Sequence, residues 1–439
     1  MSLQPAERWT GLLNELHEDK PPANMDALYV RPSRSCADSI VQEFLAQPAA
    51  CPKFLLVGAR GGGKSTELHA IGRKLNGRAT LVGIDLDRSG VRAASVSAYD
   101  LLYISALALL QYVPETDREP LYGELAKRYA DKQTKEEAKS ELGNLSTALG
   151  GIATFATAAV AVATGTDLTS GVVPVVAELA KAGSSGLRLL SNPSGVVAET
   201  SPRGRQLQES CEQVALAVRK ANKARPLCVL IDGLEKMNGE ANERFEQVFS
   251  QTRLMADTRW AAVIAAPPCT LTETNSVDGR GFITKTVWGF GPDDLDALEL
   301  LLKRRFIDAG FDPEREVEEQ GLARIAKASG GLPRHAILIA RNAVLRAHES
   351  NSLKLTNEHI TQGIRAVAEV LGRGLTLEHL RILRVVYQKK KLPGEDRAAT
   401  LFADGRILAY PPDGDIPLGR WAVHPLLRAA VEADLEQGS

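Results

Sequence analysis

The chain has 439 residues, of which 44% are hydrophobic and 24% are charged, and this size favours two or three globular domains. Its 53 basic and 54 acidic residues leave a net charge of -1, so nucleic-acid binding would need a local basic patch. The five cysteines form no C-x-x-C pair, which disfavours a disulfide framework or a zinc site. No apolar block follows a basic start, so we expect a cytoplasmic protein without a signal peptide.

The first part of the chain predicts a sheet covered by helices. A short polar helix is predicted within residues 1–25, and an amphipathic helix within residues 36–47. Four apolar runs then predict mostly parallel strands with helices on both faces, because buried parallel strands are continuously apolar. The runs are Phe54–Val57, Leu81–Leu86, Leu227–Ile231 and Trp260–Ala266. We therefore predict an N-terminal helical segment over residues 1–27 and an α/β core over residues 28–290.

A long insertion interrupts this core. Lys64 and Asp232 are much farther apart than the roughly 30 residues of one strand-helix-strand unit, and we place the insertion at about 120–200. Residues 142–166 carry no charge, which formally meets the criterion for a membrane span. Ala, Gly and Thr contribute little to membrane insertion, so we favour an Ala-rich helical hairpin. Membrane contact through residues 142–190, which would make the protein membrane-associated, is the alternative.

Two further domains are predicted after the sheet. Helical periodicity recurs over residues 291–372 and predicts a helical lid. In residues 373–439, two helices precede the strand candidates Ile407–Tyr410 and Trp421–His424, which a turn joins. Helices followed by a two-stranded hairpin are typical of a winged helix.

A glycine-rich loop directly follows the first strand candidate. Glycines allow backbone N–H groups to approach phosphates and permit positive φ angles. Lys64 would neutralise the β- and γ-phosphates, Ser65 would bind Mg²⁺, and the helix that follows would direct its positive end toward the phosphates. The pattern predicts a site for ATP or ADP with Mg²⁺. The residues assigned to it are Gly58, Arg60, Gly61, Gly62, Gly63, Lys64, Ser65 and Thr66.

Two carboxylates follow the third strand candidate. Asp232 ends the apolar run and would hold Mg²⁺ through water. Glu235 is a candidate general base for the attacking water, with a solvated acid at a helix start as the alternative. We predict Lys64, Asp232 and Glu235 as the catalytic residues.

These motifs resemble those of the STAND branch of the AAA+ and related ATPases, a family of signalling NTPases. The segment Asp232-Gly-Leu-Glu235 looks like the second motif of that branch. Gly331-Leu-Pro333 matches its G-x-P motif in the lid, where the proline packs by the adenine. Arg334 is more similar to an arginine of origin-binding and loader ATPases that reaches the γ-phosphate. The resemblance therefore leaves the branch open.

The resemblance extends to three further positions. The segment around His424 is similar to the Met-His-Asp-Leu-Leu pattern of immune STAND switches, whose histidine contacts the ADP β-phosphate, although Val and Pro replace the Met and the Asp. An ordinary histidine at a helix start is the alternative for His424. Tyr29 and Val30 precede the first core helix, as the adenine-lining segment does in related ATPases.

One expected feature of the family is missing. The fourth strand candidate ends in Ala265-Ala266-Pro267, without the Arg, Asn or Thr that family members place there as a phosphate sensor. Slow hydrolysis is therefore expected. Arg253 or Arg259 could compensate across a subunit boundary, with a solvated surface arginine as the alternative for each.

The resemblance implies an ATP-operated molecular switch. ADP would hold the lid and winged helix closed over the core, and ATP would release them for homo-oligomerisation or contact with a partner effector protein. A role in bacterial antiviral defence or stress signalling follows by family analogy alone. One alternative is a DNA-associated ATPase of the loader or transposition type, with Lys389–Lys391 on phosphates, which the near-neutral charge disfavours. The other is a membrane-acting effector that uses residues 142–190.

Overall fold

The structure is a computed structural model. It describes residues 5–16, 30, 32, 35–86, 96–129, 202–234, 248–249, 252–271, 281–411 and 420–437. Contacts between residues divide the chain into two compact units. The sheet unit comprises Cys36–Val57 and Lys64–Thr286, and the lid unit comprises Met1–Ser35, Gly58–Gly63 and Val287–Ser439. Most of the predicted insertion, including all of residues 142–190, lies outside the described residues.

The sheet unit contains a five-stranded parallel sheet with the order β2-β3-β4-β1-β5. The strands are β1 Lys53–Val57, β2 Thr80–Asp85, β3 Leu227–Asp232, β4 Ala261–Ala266 and β5 Ile283–Thr286. The four predicted strands are confirmed, and they are apolar because the sheet is largely buried. The sequence did not predict β5, because this edge strand pairs only with β1 and carries partly exposed polar residues.

Helices pack on this sheet and complete its core. They are α2 Ala37–Ala46, α3 Lys64–Leu75, α4 Ala98–Leu109, α5 Glu115–Tyr129, α6 Pro202–Ala221 and α7 Thr252–Ala256. Helix α4 begins with a capping box, in which Ser97 and Asp100 exchange hydrogen bonds between side chain and backbone. The buried Asp100 carboxylate also accepts a hydrogen bond from the Tyr129 hydroxyl at the end of α5. These bonds hold the start of α4 against the end of α5, near the beginning of the predicted insertion.

The lid unit is helical and includes the N-terminal helix. Its helices are α1 Pro5–Glu15, α8 Leu295–Asp308, α9 Pro313–Glu316, α10 Gly321–Ala328, α11 Pro333–Glu349 and α12 Asn357–Gly372. The predicted N-terminal helix is present as α1, but it has an apolar buried face, because Trp9, Leu12 and Leu16 are buried. The Trp9 indole N–H donates to the Ser352 carbonyl at 2.9 Å, and its ring stacks on Phe311 with centroids 5.0 Å apart. Helix α1 is thus part of the lid packing.

The winged helix follows in the same unit, as predicted. Its elements are α13 Leu377–Lys389, α14 Asp396–Ala403, β6 Ile407–Tyr410, β7 Arg420–Val423 and α15 Arg428–Gln437. Strands β6 and β7 pair antiparallel, with Ile407 opposite Val423. Residues 412–419, which connect the two strands, lie outside the described residues.

Candidate functional site

The glycine loop connects β1 to α3 and has the backbone geometry that glycine favours. Gly61 has a φ of 75° and Gly63 a φ of 101°, both in the region that residues with a Cβ rarely adopt. The Gly62 N–H donates to the Ala59 carbonyl at 3.0 Å and closes a turn inside the loop. A Cβ built at Gly58 would lie 2.8 Å from the Val287 carbonyl oxygen. The loop conformation therefore depends on glycine at three of its positions.

Helix α3 begins directly after the loop with the predicted phosphate and metal residues. The Lys64 side chain is buried, Ser65 is exposed, and Thr66 is half-buried. Unpaired N–H groups and the helix dipole make such a helix start favourable for anions. Lys64 and Ser65 are thus the first two residues of this helix.

Glu67, which the sequence did not single out, anchors this helix start. Its buried carboxylate accepts hydrogen bonds from the Ala37 N–H at 2.9 Å and from the Cys36 thiol at 3.3 Å. Burial and then the charge of Glu67 raise the pKa of the Cys36 thiol, which keeps it a neutral donor. Helix α2 is thereby held against α3. A glutamate two residues after the motif serine was the only sequence signal for this role.

Asp232 lies at the carboxyl edge of the sheet. It ends β3, its side chain accepts a hydrogen bond from the Gly233 N–H at 3.0 Å, and it is half-buried. Its register partner on the neighbouring β2 is Asp85. All strands are parallel, so the glycine loop follows β1 at this same edge. The general-base candidate Glu235 lies outside the described residues.

The strand between β1 and β3 has no polar side chain at this edge. Ala266 ends β4 and pairs in register with Val57, the residue before the glycine loop. In the described segment that follows, Thr270 is the first residue with a polar side chain apart from Cys269, and its hydroxyl donates to the Pro267 carbonyl at 2.9 Å. At the end of β4, where the sensor is expected, Ala265 and Ala266 carry only methyl side chains.

Within the lid unit, Arg334 packs directly on the glycine loop. The Arg334 N–H donates to the Gly61 carbonyl at 3.4 Å. A Cβ built at Gly61 would lie 2.2 Å from the Arg334 Cβ and 2.7 Å from its Cδ, so the side chain covers the glycine. Helix α11 starts with Pro333 at a favourable first position. Gly331, with a φ of 82°, lies too close to Phe290 for any Cβ, which explains the glycine of the G-x-P motif.

The winged helix also contacts the glycine loop, and no side-chain motif predicted this contact. The Arg60 N–H donates to the Ala403 carbonyl at the end of α14, at 2.9 Å. Because both groups belong to the backbone, no residue pattern indicates the bond. The loop thus has one contact with the lid helix α11 and another with the winged helix.

His424 is completely buried at the end of β7. Its Nε2 lies 3.0 Å from the Ser329 carbonyl and 3.1 Å from Nδ1 of His335, and its Nδ1 accepts a hydrogen bond from the Leu426 N–H at 3.2 Å. Both ring nitrogens are therefore engaged by the protein. The sequence reasoning did not select His335, although this residue directly follows Arg334.

The other residues that the sequence proposed for the site are Val30, Tyr29, Arg253 and Arg259. Val30 is half-buried, and Tyr29 lies outside the described residues. Arg253 is exposed on α7, and Arg259 is exposed with its guanidinium 4.0 Å from the Glu212 carboxylate. Among the helices that the structure describes, none is both long and apolar enough to cross a membrane.

The sheet and the loop decide the fold class. A parallel sheet in which β4 separates β1 from β3, with a glycine loop between β1 and α3, is the arrangement of P-loop ATPases. The chain therefore has an α/β fold with the strand, glycine loop and helix of a P-loop. The STAND subtype is a finer assignment that this arrangement does not make.

Several solved structures are similar to this chain. An Aeropyrum pernix ORC1 protein in complex with DNA matches with 14% identity and a TM-score of 0.38, over 98% of this chain and 96% of that chain. A Drosophila ORC bound to DNA matches with 12% identity and a TM-score of 0.38, over 98% and 91%. The Thermotoga maritima RuvB branch migration motor matches with 13% identity and a TM-score of 0.35, over 91% and 88%. Similarity at this level supports no conclusion about the fold or the function of this chain. Neither a protein-family model nor a curated protein matches the chain.

Proposed function

We propose that this chain is a STAND-like molecular switch that binds ATP or ADP with Mg²⁺ at its glycine loop and hydrolyses ATP slowly. The observation that carries the proposal is the double contact on the loop. Arg334 of the lid packs on Gly61, and Ala403 of the winged helix accepts the Arg60 N–H. Phosphates that bind this loop would directly affect the contacts that hold lid and winged helix on it.

The residues of the loop fit a phosphate chain. A Cβ built at Gly63 would have no atom within 4 Å, so the loop leaves space beside this glycine. The positive φ angles of Gly61 and Gly63 suit a loop whose N–H groups turn toward an anion. Lys64 would neutralise the phosphates, while Ser65 and, through water, Asp232 would hold Mg²⁺. The ion would supply charge neutralisation between the phosphates.

The nucleotide would act by changing the partner of Arg334. In the ADP state the arginine stays on Gly61, and in the ATP state the γ-phosphate competes for its guanidinium. Complete switching from closed to open needs a difference in nucleotide affinity of about 5 kcal/mol between the two conformations. Charge-assisted hydrogen bonds of roughly 1.5–3 kcal/mol each, from Lys64 and Arg334, could together supply most of that difference. Pro333 and the segment around Val30, with Tyr29, would line the adenine.

Hydrolysis is proposed to be slow because the sheet edge lacks a phosphate sensor. Ala266 offers a methyl group where a hydrogen-bond donor would orient the γ-phosphate. Glu235 would act as the general base, and Arg253 or Arg259 of a second copy would complete the site. Slow turnover gives each nucleotide state a long lifetime, which suits a cytoplasmic switch that assembles with itself or with an effector protein in defence or stress signalling.

The experiment that tests this function compares particle size with ADP and with a non-hydrolysable ATP analogue. Lys64→Ala should abolish nucleotide binding and any nucleotide-dependent change in size. Lys74→Ala is the matched control, because Lys74 lies on the same helix, is exposed and pairs with Asp38. A wild-type protein whose size and shape are identical with both nucleotides would contradict the switch.

One observation favours the DNA-associated alternative as a second candidate. The Trp421 N–H donates to the Lys390 carbonyl at 3.3 Å, which places Lys390 beside Arg420 on β7. Burial and then the charges of Arg428 and Arg420 lower the pKa of Lys390. In contrast, the exposed basic residue of α14, Arg397, forms an ion pair with Glu378. Phosphates would therefore bind at the Lys390 cluster. Affinity for duplex DNA that falls steeply with salt, and less steeply after Arg428→Ala, would support this candidate.

A further inference from the structure

Two buried histidines meet where the winged helix contacts the lid. His335 is in the first turn of α11, and His424 follows β7. His335 Nδ1 lies 3.1 Å from His424 Nε2, and the rings meet edge to face with centroids 5.0 Å apart. His424 is 0% exposed and His335 is 6% exposed, so water does not satisfy these nitrogens. The pair is outside the glycine loop and outside the predicted metal ligands.

The hydrogen bonds determine where the protons are. The Leu426 N–H donates to His424 Nδ1, so this nitrogen carries no proton. Neutral His424 is therefore protonated on Nε2, which donates to the Ser329 carbonyl and faces His335 Nδ1. His335 Nδ1 must then be an acceptor, and its proton is on Nε2. Both rings are neutral in this arrangement.

A proton added to either ring would place two donors against each other. On His424 the new N–H would face the Leu426 N–H, and on His335 it would face the His424 Nε2–H. Each change would also leave a charge in a buried site, which is costly. The arrangement therefore exists only while both histidines are neutral.

The surroundings of the pair favour neutral rings. The charged groups whose fields reach it are Arg334 on α11 and Arg428 at the start of α15, and both are cationic. From the other elements the pair meets the Ser329 carbonyl and Gly405. Burial, then Arg334, lowers the pKa of His335 to about 4, and burial, then His335, lowers the pKa of His424 to about 3.

The pair is also connected to the glycine loop by short paths. His335 directly follows Arg334, whose side chain covers Gly61. A Cβ built at Gly405 would lie 2.8 Å from His335 Cε1, so the ring packs on the turn after α14. The carbonyl of Ala403, two residues before Gly405, accepts a hydrogen bond from the Arg60 N–H. The His335 ring thus packs beside both segments that contact the loop.

We propose that His335 and His424 form an interlock that positions Arg334 and the end of α14 on the glycine loop, and that protonation of either histidine releases it. The proposal rests on the proposed function for its consequence, since release of the interlock would open the nucleotide switch. His424 would thus hold the winged helix through the protein, in place of the phosphate contact that the family resemblance implies.

The expected pH dependence has a definite sign. Each histidine binds a proton more weakly in the closed form than in the open form, where its pKa is about 6.5. Below pH 6.5 the open form gains more protons, and the closed-to-open equilibrium shifts by about tenfold per pH unit for each histidine. The shift ends near the pKa values of the closed form, at about pH 3 to 4.

The test measures the distance between lid and winged helix without nucleotide. Nitroxide labels would be attached at Arg346→Cys on α11 and Arg397→Cys on α14, both exposed, in a Cys36→Ser background. The other four cysteines are buried. We expect one distance distribution at about pH 7.5 and a second, growing population as the pH falls to about 5. Circular dichroism at each pH establishes that the helices remain folded.

Variants distinguish the interlock from simple packing. His335→Asn keeps an acceptor oxygen at the position of Nδ1 but does not titrate, so it should stay closed at neutral pH and show roughly half the pH sensitivity, about one proton instead of two. His424→Ala loses the Ser329 bond and should be open at both pH values. His348→Asn, on the same helix as His335, is the control and should behave as wild type.

Two results would overturn the interlock. One is a wild-type distance distribution that does not change between about pH 7.5 and about 5. The other is a His335→Asn variant that titrates as wild type does. Because no nucleotide is present, these outcomes are independent of the proposed function, which fails separately if nucleotides leave the labelled protein unchanged at neutral pH.

Discussion

The contact of Arg334 with the glycine loop makes a specific prediction for Gly61→Ala. The new methyl group would lie 2.2 Å from the Arg334 Cβ and 2.9 Å from its Cγ. The closest of these atoms is next to the backbone, so rotation of the side chain cannot remove the overlap. The substitution should therefore push the start of α11 off the loop.

The expected loss of folding free energy follows from a comparison of Gly61→Ala with Gly63→Ala. Both glycines have positive φ angles, and an alanine in such a conformation costs roughly 1–2 kcal/mol. Gly63→Ala should cost only this, because no atom lies within 4 Å of its Cβ. Gly61→Ala should cost a further 1–3 kcal/mol, roughly the penalty for overpacking. Unfolding by denaturant, measured without nucleotide, compares the two variants with wild type.

A second substitution, Arg334→Gly, tests the contact between Gly61 and Arg334 by itself. Arg334→Gly removes all the side-chain atoms that the methyl group would meet, so the double variant with Gly61→Ala should recover roughly 1–3 kcal/mol relative to additivity. Equal destabilisation by Gly61→Ala and Gly63→Ala, together with no coupling in the double variant, would refute the placement of Arg334 on the loop.

Three further predictions concern other parts of the chain. Burial lowers the pKa of Lys53 from 10.5 to about 8, so the unfolded state binds more protons between these pH values. Stability should therefore rise by about 3 kcal/mol from pH 8 to 10.5 in wild type relative to Lys53→Met, measured by denaturant unfolding at each pH; parallel profiles would contradict this. Trp9→Ala should destabilise the lid by roughly 3–5 kcal/mol, seen as a lower thermal midpoint, and a loss under about 1 kcal/mol would contradict the packing of α1. Asp232→Ala should reduce Mg²⁺-dependent ATP hydrolysis by at least about tenfold, and Asp85→Ala, on the neighbouring strand, should reduce it less; equal effects would contradict the metal role of Asp232.

The elements that sequence reasoning predicted are those whose signal is local. Strands β1, β3 and β4 are buried and therefore appear as continuous apolar runs. Strand β5 has no such run, because it lies at the edge and is only half covered. Helix α1 looked polar, since its buried face depends on Ser352 and Phe311, which are distant in sequence.

The candidate site also contains features with a local sequence signal and features without one. The glycine loop was visible because each residue has a local geometric role. The Arg60–Ala403 bond was invisible, because it joins two backbone groups that are far apart along the chain. The histidine pair left a weak signal: His335 directly follows Arg334, and both histidines are close in sequence to apolar residues and glycine, where a buried polar ring needs a partner.

The most direct test of the switch is the distance between lid and winged helix in different nucleotide states. The labels on Arg346→Cys and Arg397→Cys would be measured at neutral pH with ADP and then with a non-hydrolysable ATP analogue. We predict a single closed distribution with ADP, a second population with the ATP analogue, and no response to either nucleotide in Lys64→Ala. Identical distributions with both nucleotides in a protein that binds them would contradict the account.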